Sequence, residues 1–79
     1  MSAIRILVVE DERIVSRDIQ NTLKRLGYET AGVAAAGEPA IAMAGELSPD
    51  LILMDIHLEG DLDGVEAARI IDARFKLPV

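Results

Sequence analysis

Apolar residues along the chain follow two kinds of pattern, which alternate from one end to the other. Ile4–Val9 and Leu51–Met54 are short, nearly continuous apolar runs that stop at acidic residues, as strands buried on both faces do. Glu29–Ala34 is a weaker candidate strand, diluted by alanine and glycine. After each of these segments, apolar residues recur at helical spacing. The predicted order of elements is therefore β-α-β-α-β-α.

Turn and cap residues set the predicted ends of the three helices. The first helix ends at Gly27, where a C-terminal capping glycine belongs, and the second ends before Ser48-Pro49. Asp63 is a plausible N-cap of the third helix. The first helix carries the clearest apolar stripe, which we expect to face the sheet; its members are Ile14, Val15, Ile19, Leu23 and Leu26.

Strands that alternate with helices predict parallel pairing through right-handed crossovers. We therefore expect one α/β domain over residues 1–79, built as a doubly wound parallel sheet. Leu77-Pro78-Val79 has the character of the start of a further strand.

Composition and charge narrow the classes of function. The chain has 8 basic and 14 acidic residues, a net charge of -6 and no cysteine. This balance argues against direct binding to a nucleic-acid backbone, which depends on Lys and Arg, and it leaves no disulfide or thiolate chemistry. No apolar run approaches the roughly 20 residues of a membrane span, and the N-terminus lacks the features of a secretory signal. We expect a small, acidic, cytoplasmic protein without a membrane partner.

Both strong apolar runs end in acids: Glu10 and Asp11 follow the first, and Asp55 follows the other. Because the carboxyl ends of parallel strands share one edge of a sheet, neighbouring strands would bring these three carboxylates together at the edge where such sheets bind ligands. A divalent cation that prefers oxygen ligands, such as Mg²⁺, would relieve their repulsion. The alternative is that the acids only form turns and helix caps, which is common after strands.

Three segments, ILVVEDE, DLILMDI and DGVEAARII, resemble the receiver domain of two-component response regulators in order, spacing and setting. The resemblance implies a flavodoxin-like sheet in which Glu10 and Asp11 hold Mg²⁺ and Asp55 accepts a phosphoryl group. It also implies that the metal is bound by Asp55 and by the backbone carbonyl of His57. The Asp63-Gly64 pair before the third helix is a further family feature. The histidine ring itself is expected to be a solvated surface group.

The resemblance implies a sensor histidine kinase or a phosphotransfer protein as partner, and an output domain in a longer chain. A domain of this kind is not an enzyme in the usual sense, although it assists its own phosphorylation. The match covers about two-thirds of a family domain: the fourth and fifth strands, a Ser or Thr and a Lys have no counterpart. An exposed edge at Leu51–Asp55 would then favour a homodimer.

Three other functions compete with phosphoacceptance. A receiver-like fragment could act only as an interaction module, without phosphorylation. A Mg²⁺-dependent phosphatase usually shows Asp-x-Asp after its strand, whereas Asp55 is followed by Ile56 and His57. An EF-hand loop starting at Glu59 would place Ile70 at its twelfth position, where a ligating Glu is needed, so we reject that alternative.

Overall fold

A computed structural model of the chain describes residues 3–58 and 60–79. Glu59, the first residue of the rejected calcium loop, lies outside the described residues. The elements, in chain order, are β1 (Arg5–Val9), α1 (Arg13–Arg25), β2 (Glu29–Ala34), α2 (Gly37–Leu47), β3 (Leu51–Met54) and α3 (Gly64–Phe75). The strands form one parallel sheet in the order β2-β1-β3. The predicted α/β fold and its element order are confirmed.

The central strand β1 is covered on both faces, which explains its nearly continuous apolar sequence. Leu7, Val8 and Ile52 are fully buried, and burial of such a side chain contributes about 1.5–3 kcal/mol. Alternate residues of the strands point to opposite faces of the sheet. One face packs on α2 and α3 and includes Leu7, Val9, Ala34, Ala40, Ala44, Ile52, Leu58 and Ile71. The other packs on α1 through Ile6, Val8 and Leu23.

The apolar stripe predicted for α1 is only partly correct. Leu23 is buried as expected, but Ile14 is 85% exposed and Leu26 is 65% exposed, while the small polar Ser16 is buried. The Ser16 hydroxyl accepts a hydrogen bond from Gln20 Nε2 at 3.2 Å, so its burial leaves no unsatisfied polar group. Only Leu23 and the partly buried Ile19 of the predicted stripe belong to the core cluster on this face of the described sheet.

The helix ends follow the predicted capping chemistry. Gly27 has φ 90°, and the amides of Gly27 and Tyr28 donate to the carbonyls of Lys24 (3.1 Å) and Leu23 (2.9 Å), which is a Schellman motif at the end of α1. At the start of α3, Asp63 Oδ1 accepts from the Glu66 amide at 2.9 Å. These two caps fix the end of α1 and the start of α3.

Arg5 and Asp50 fasten β3 to the start of β1. The Arg5 amide donates to Asp50 Oδ2 at 2.8 Å, and the Asp50 amide donates to the Arg5 carbonyl at 2.8 Å. The Arg5 guanidinium donates to the Leu47 carbonyl at 2.7 Å, which places a positive charge at the C-terminal end of α2, where the helix dipole favours one. This arrangement sets the register of β3 beside β1, and hence the position at which Asp55 emerges.

The edge of β3 that faces away from β1 is hydrogen-bonded to the segment 77–79. The Ile52 amide donates to the Pro78 carbonyl at 2.9 Å, on the side of β3 away from β1. Residues 77–79 are not a strand, but this bond lies where a further strand would pair. A homodimer through Leu51–Asp55 stays a prediction. No helix among the described residues combines the length and the hydropathy needed to cross a bilayer.

Candidate functional site

Backbone hydrogen bonds to neighbouring strands fix the residues that follow β1 and β3. The Asp55 amide donates to the Val9 carbonyl, and the Glu10 amide donates to the Ala34 carbonyl, each at 3.0 Å. Both residues are therefore fixed at the carboxyl edge of the sheet before their side chains make any contact.

The three acids expected to meet do so. Glu10, Asp11 and Asp55 each offer a carboxylate oxygen within 4.8 Å of the other two. Glu10 is buried, whereas Asp11 and Asp55 are half-buried. The donor atoms are all oxygens, and such an all-oxygen set with partial solvent access fits Mg²⁺, which keeps several waters. The cluster lies at the strand ends, where ligands bind to open parallel sheets.

Glu10 and Asp55 share a hydrogen bond, and their pKa values shift in opposite directions. Burial raises the pKa of Glu10 above its ordinary value, and the hydrogen bond and negative charge of Asp55 raise it further. The backbone N–H of His57, which donates to Asp55 Oδ1 at 3.0 Å, lowers the pKa of Asp55, and the hydrogen bond with Glu10 lowers it further. Within this pair, Asp55 therefore loses its proton more readily than Glu10 does.

His57 contributes its backbone to the site. Its amide hydrogen points at Asp55, and its side chain is exposed, as expected for a solvated surface histidine. The ring is not a member of the carboxylate cluster. The role of the His57 carbonyl as a metal ligand stays a prediction.

Gly64 is a site residue whose importance the sequence analysis missed. A Cβ added at Gly64 would overlap the carbonyl oxygen of Asp55 and would lie 2.7 Å from the Cα of Ile56. The first turn of α3 thus packs directly on the peptide that follows the candidate acceptor. The Asp63-Gly64 pair was expected only as a cap and a family feature. The sequence does not show which part of the backbone packs against a glycine.

Comparison with known proteins agrees with this geometry. The family model described as the response regulator receiver domain matches residues 6–79. The chain belongs to this family. The resemblance carried by the three sequence segments is therefore confirmed, and with it the flavodoxin-like fold.

Relatives of this receiver domain are longer proteins with different named activities. The chain is 35% identical over 75 residues to the transcriptional regulatory protein PdtaR of Mycobacterium tuberculosis, covering 95% of the chain and 36% of PdtaR. It is 40% identical over 81 residues to a protein-glutamate methylesterase/protein-glutamine glutaminase of Trichodesmium erythraeum, covering 100% of the chain and 23% of that protein. The chain thus spans about a third or less of these curated relatives, so their outputs are not carried over.

A solved structure supports the same assignment. The receiver domain of a modulated diguanylate cyclase from Desulfovibrio desulfuricans G20 superposes with a TM-score of 0.89 at 43% identity, covering 94% of this chain and 59% of that one. What these proteins share with the chain is the receiver domain.

We expect Glu10→Gln to raise the melting temperature of the metal-free protein by a few degrees at pH 7. Because folding raises the pKa of Glu10, its contribution to the free energy of unfolding is full below the ordinary value of 4.5 and is lost as pH rises through the raised pKa. A neutral amide avoids that loss. Calorimetry at pH 7 and below pH 4.5 measures the difference in melting temperature between the variant and the wild type. This difference should shrink at the lower pH.

The matched control for this prediction is Asp61→Asn, which changes the net charge equally at an exposed acid outside the cluster. It should leave the melting temperature nearly unchanged. An equal gain in both variants would assign the effect to overall charge rather than to the site.

Gly64→Ala should destabilise the domain by about 1–3 kcal/mol, the cost of forcing an extra methyl group into a packed contact. Gly45→Ala is the control, because its Cβ would lie 3.0 Å from the Phe75 ring, which is partly exposed and can move. Alanine is also favoured over glycine inside a helix by about 1 kcal/mol. Urea unfolding of the two variants should shift in opposite directions; equal shifts would contradict the close approach at Asp55.

Proposed function

We propose that Asp55 of this receiver domain accepts a phosphoryl group, with Mg²⁺ bound by Glu10, Asp11, Asp55 and the backbone carbonyl of His57. The observation that carries the proposal is the convergence of three carboxylate oxygens within 4.8 Å at the edge of the sheet. The family assignment adds support, because the receiver-domain match over residues 6–79 includes all three acids.

The environment of Asp55 suits a nucleophile. Its lowered pKa keeps the carboxylate ionised, and the His57 amide fixes Oδ1 in position. In the proposed reaction an Asp55 oxygen forms a bond to phosphorus while the bond from phosphorus to the donor's imidazole nitrogen breaks, and the electron pair stays on that nitrogen. Bound Mg²⁺ would neutralise charge on the transferred group. Glu10 and Asp11 have no covalent part in the step.

The phosphoryl donor that fits this chemistry is a phosphohistidine of a sensor histidine kinase or a phosphotransfer protein. The domain then acts as an acceptor that assists its own modification, and not as an enzyme with an independent substrate. A cytoplasmic location and an output segment in a longer chain belong to the same proposal. The second candidate, an interaction module without phosphorylation, shares the fold and predicts no covalent change at Asp55.

Intact-mass spectrometry distinguishes the two candidates. The protein is incubated with Mg²⁺ and acetyl phosphate, and we expect a gain of one phosphoryl group that hydroxylamine removes, as it does from acyl phosphates. Asp55→Asn removes the nucleophile and Asp11→Ala removes a metal ligand, so both should abolish the gain. Asp61→Asn, outside the cluster, should retain it.

A folded wild-type chain that gains no mass would contradict the phosphoacceptor proposal and favour the interaction module. A gain that persists in Asp55→Asn would place the modification on another residue. In either case, membership of the receiver family would be unaffected, because it rests on the match over residues 6–79. Circular dichroism of each variant verifies that it is folded.

A further inference from the structure

The connection between β3 and α3 leaves the site at Asp55 and returns to it at Gly64. Within it, Leu58 is only 6% exposed and belongs to the same core cluster as Ala40 of α2. Leu62, further along, packs on Gly37, the first residue of α2. Two leucines of this connection therefore pack with residues of α2.

The contact between Leu62 and Gly37 is close. A Cβ added at Gly37 would lie 2.9 Å from Leu62 Cδ2 and 2.9 Å from the Leu62 carbonyl oxygen. Any side chain larger than hydrogen at this position would have to displace the connection. A shift of Leu62 would conversely alter the packing of the first turn of α2.

The first turn of α2 depends on such packing. Its N-cap residue is Ala36, and no side chain caps the helix there. Glu38 and Pro39 of this turn are exposed, whereas Gly37 and Ala40 are buried. The turn thus presents one face to the connection and the opposite face to solvent.

Modification of Asp55 changes the bond that holds the start of the connection. In the unmodified protein, the His57 amide donates to an ionised carboxylate, and such charge-assisted hydrogen bonds are the stronger ones. Phosphoryl transfer makes that carboxyl group part of an uncharged anhydride linkage and moves the negative charge onto the phosphoryl oxygens. The preferred position of the His57 amide therefore differs between the two states, which is what a switch requires.

We infer that Leu62 transmits the state of Asp55 to the first turn of α2, Gly37–Ala40. The surface of this turn then differs between the unmodified and the phosphorylated protein. The inference rests on the proposed function, because it needs a ligand or a modification at Asp55. Leu62 is a coupling residue here; it does not touch the reacting atoms.

Two-dimensional NMR of the ¹⁵N-labelled chain tests this inference, with Mg²⁺ and beryllofluoride as a non-hydrolysed stand-in for the phosphoryl group. In the wild type, addition should shift the His57 amide and the amides of Gly37–Ala40. In Leu62→Ala, the His57 shift should remain while the α2 shifts fall at least about twofold, since the differential contact is lost. Leu62→Met, which keeps an apolar side chain of similar size, should restore them.

Phe75→Leu is the matched control, because Phe75 packs on Gly45 at the far end of α2, away from the connection. It should leave the response of Gly37–Ala40 unchanged. The inference is overturned if His57 responds but α2 does not, or if the α2 response survives in Leu62→Ala. No response at His57 in the folded wild type contradicts the proposed function, and the inference with it.

Discussion

Repulsion among three carboxylates at one sheet edge is the constraint on which this molecule depends. Glu10, Asp11 and Asp55 stay within 4.8 Å of one another because the backbone of β1 and β3 places them there, and the side chains themselves oppose the arrangement. Burial raises the pKa of Glu10, and the hydrogen bond and negative charge of Asp55 raise it further. Burial of the strands beneath the site stabilises the fold enough to offset this repulsion. A cation bound by the three carboxylates would relieve it.

Two glycines allow the connection between β3 and α3 to fold tightly over this edge. Gly64 lets α3 begin against the Asp55 peptide, and Gly37 lets α2 begin against Leu62. Both close approaches involve carbonyl oxygens of the backbone, that of Asp55 at Gly64 and that of Leu62 at Gly37. The same stretch that holds the acceptor therefore also connects it with the two helices packed on one face of the sheet.

Much of this arrangement could be predicted from the sequence, because it depends on local patterns. β3 was expected at Leu51–Met54, and Asp63 was expected as a cap; both are confirmed. The exposure of Ile14 was not foreseen, because periodicity shows that a helix has an apolar side but not how much of that side a neighbouring strand covers. The contacts at Gly64 were not foreseen either, since the sequence does not show which backbone atoms pack against a glycine.

The central claim is that the three carboxylates form one cation site, and its location can be measured directly. Mn²⁺ prefers oxygen ligands as Mg²⁺ does, and it broadens the NMR signals of nearby amides. At low Mn²⁺, the amide signals of Glu10, Asp11 and Asp55–His57 should disappear first, and Asp11→Ala should prevent this. Broadening centred instead on Asp61 and Asp63, or spread evenly over the acidic surface, would contradict the account.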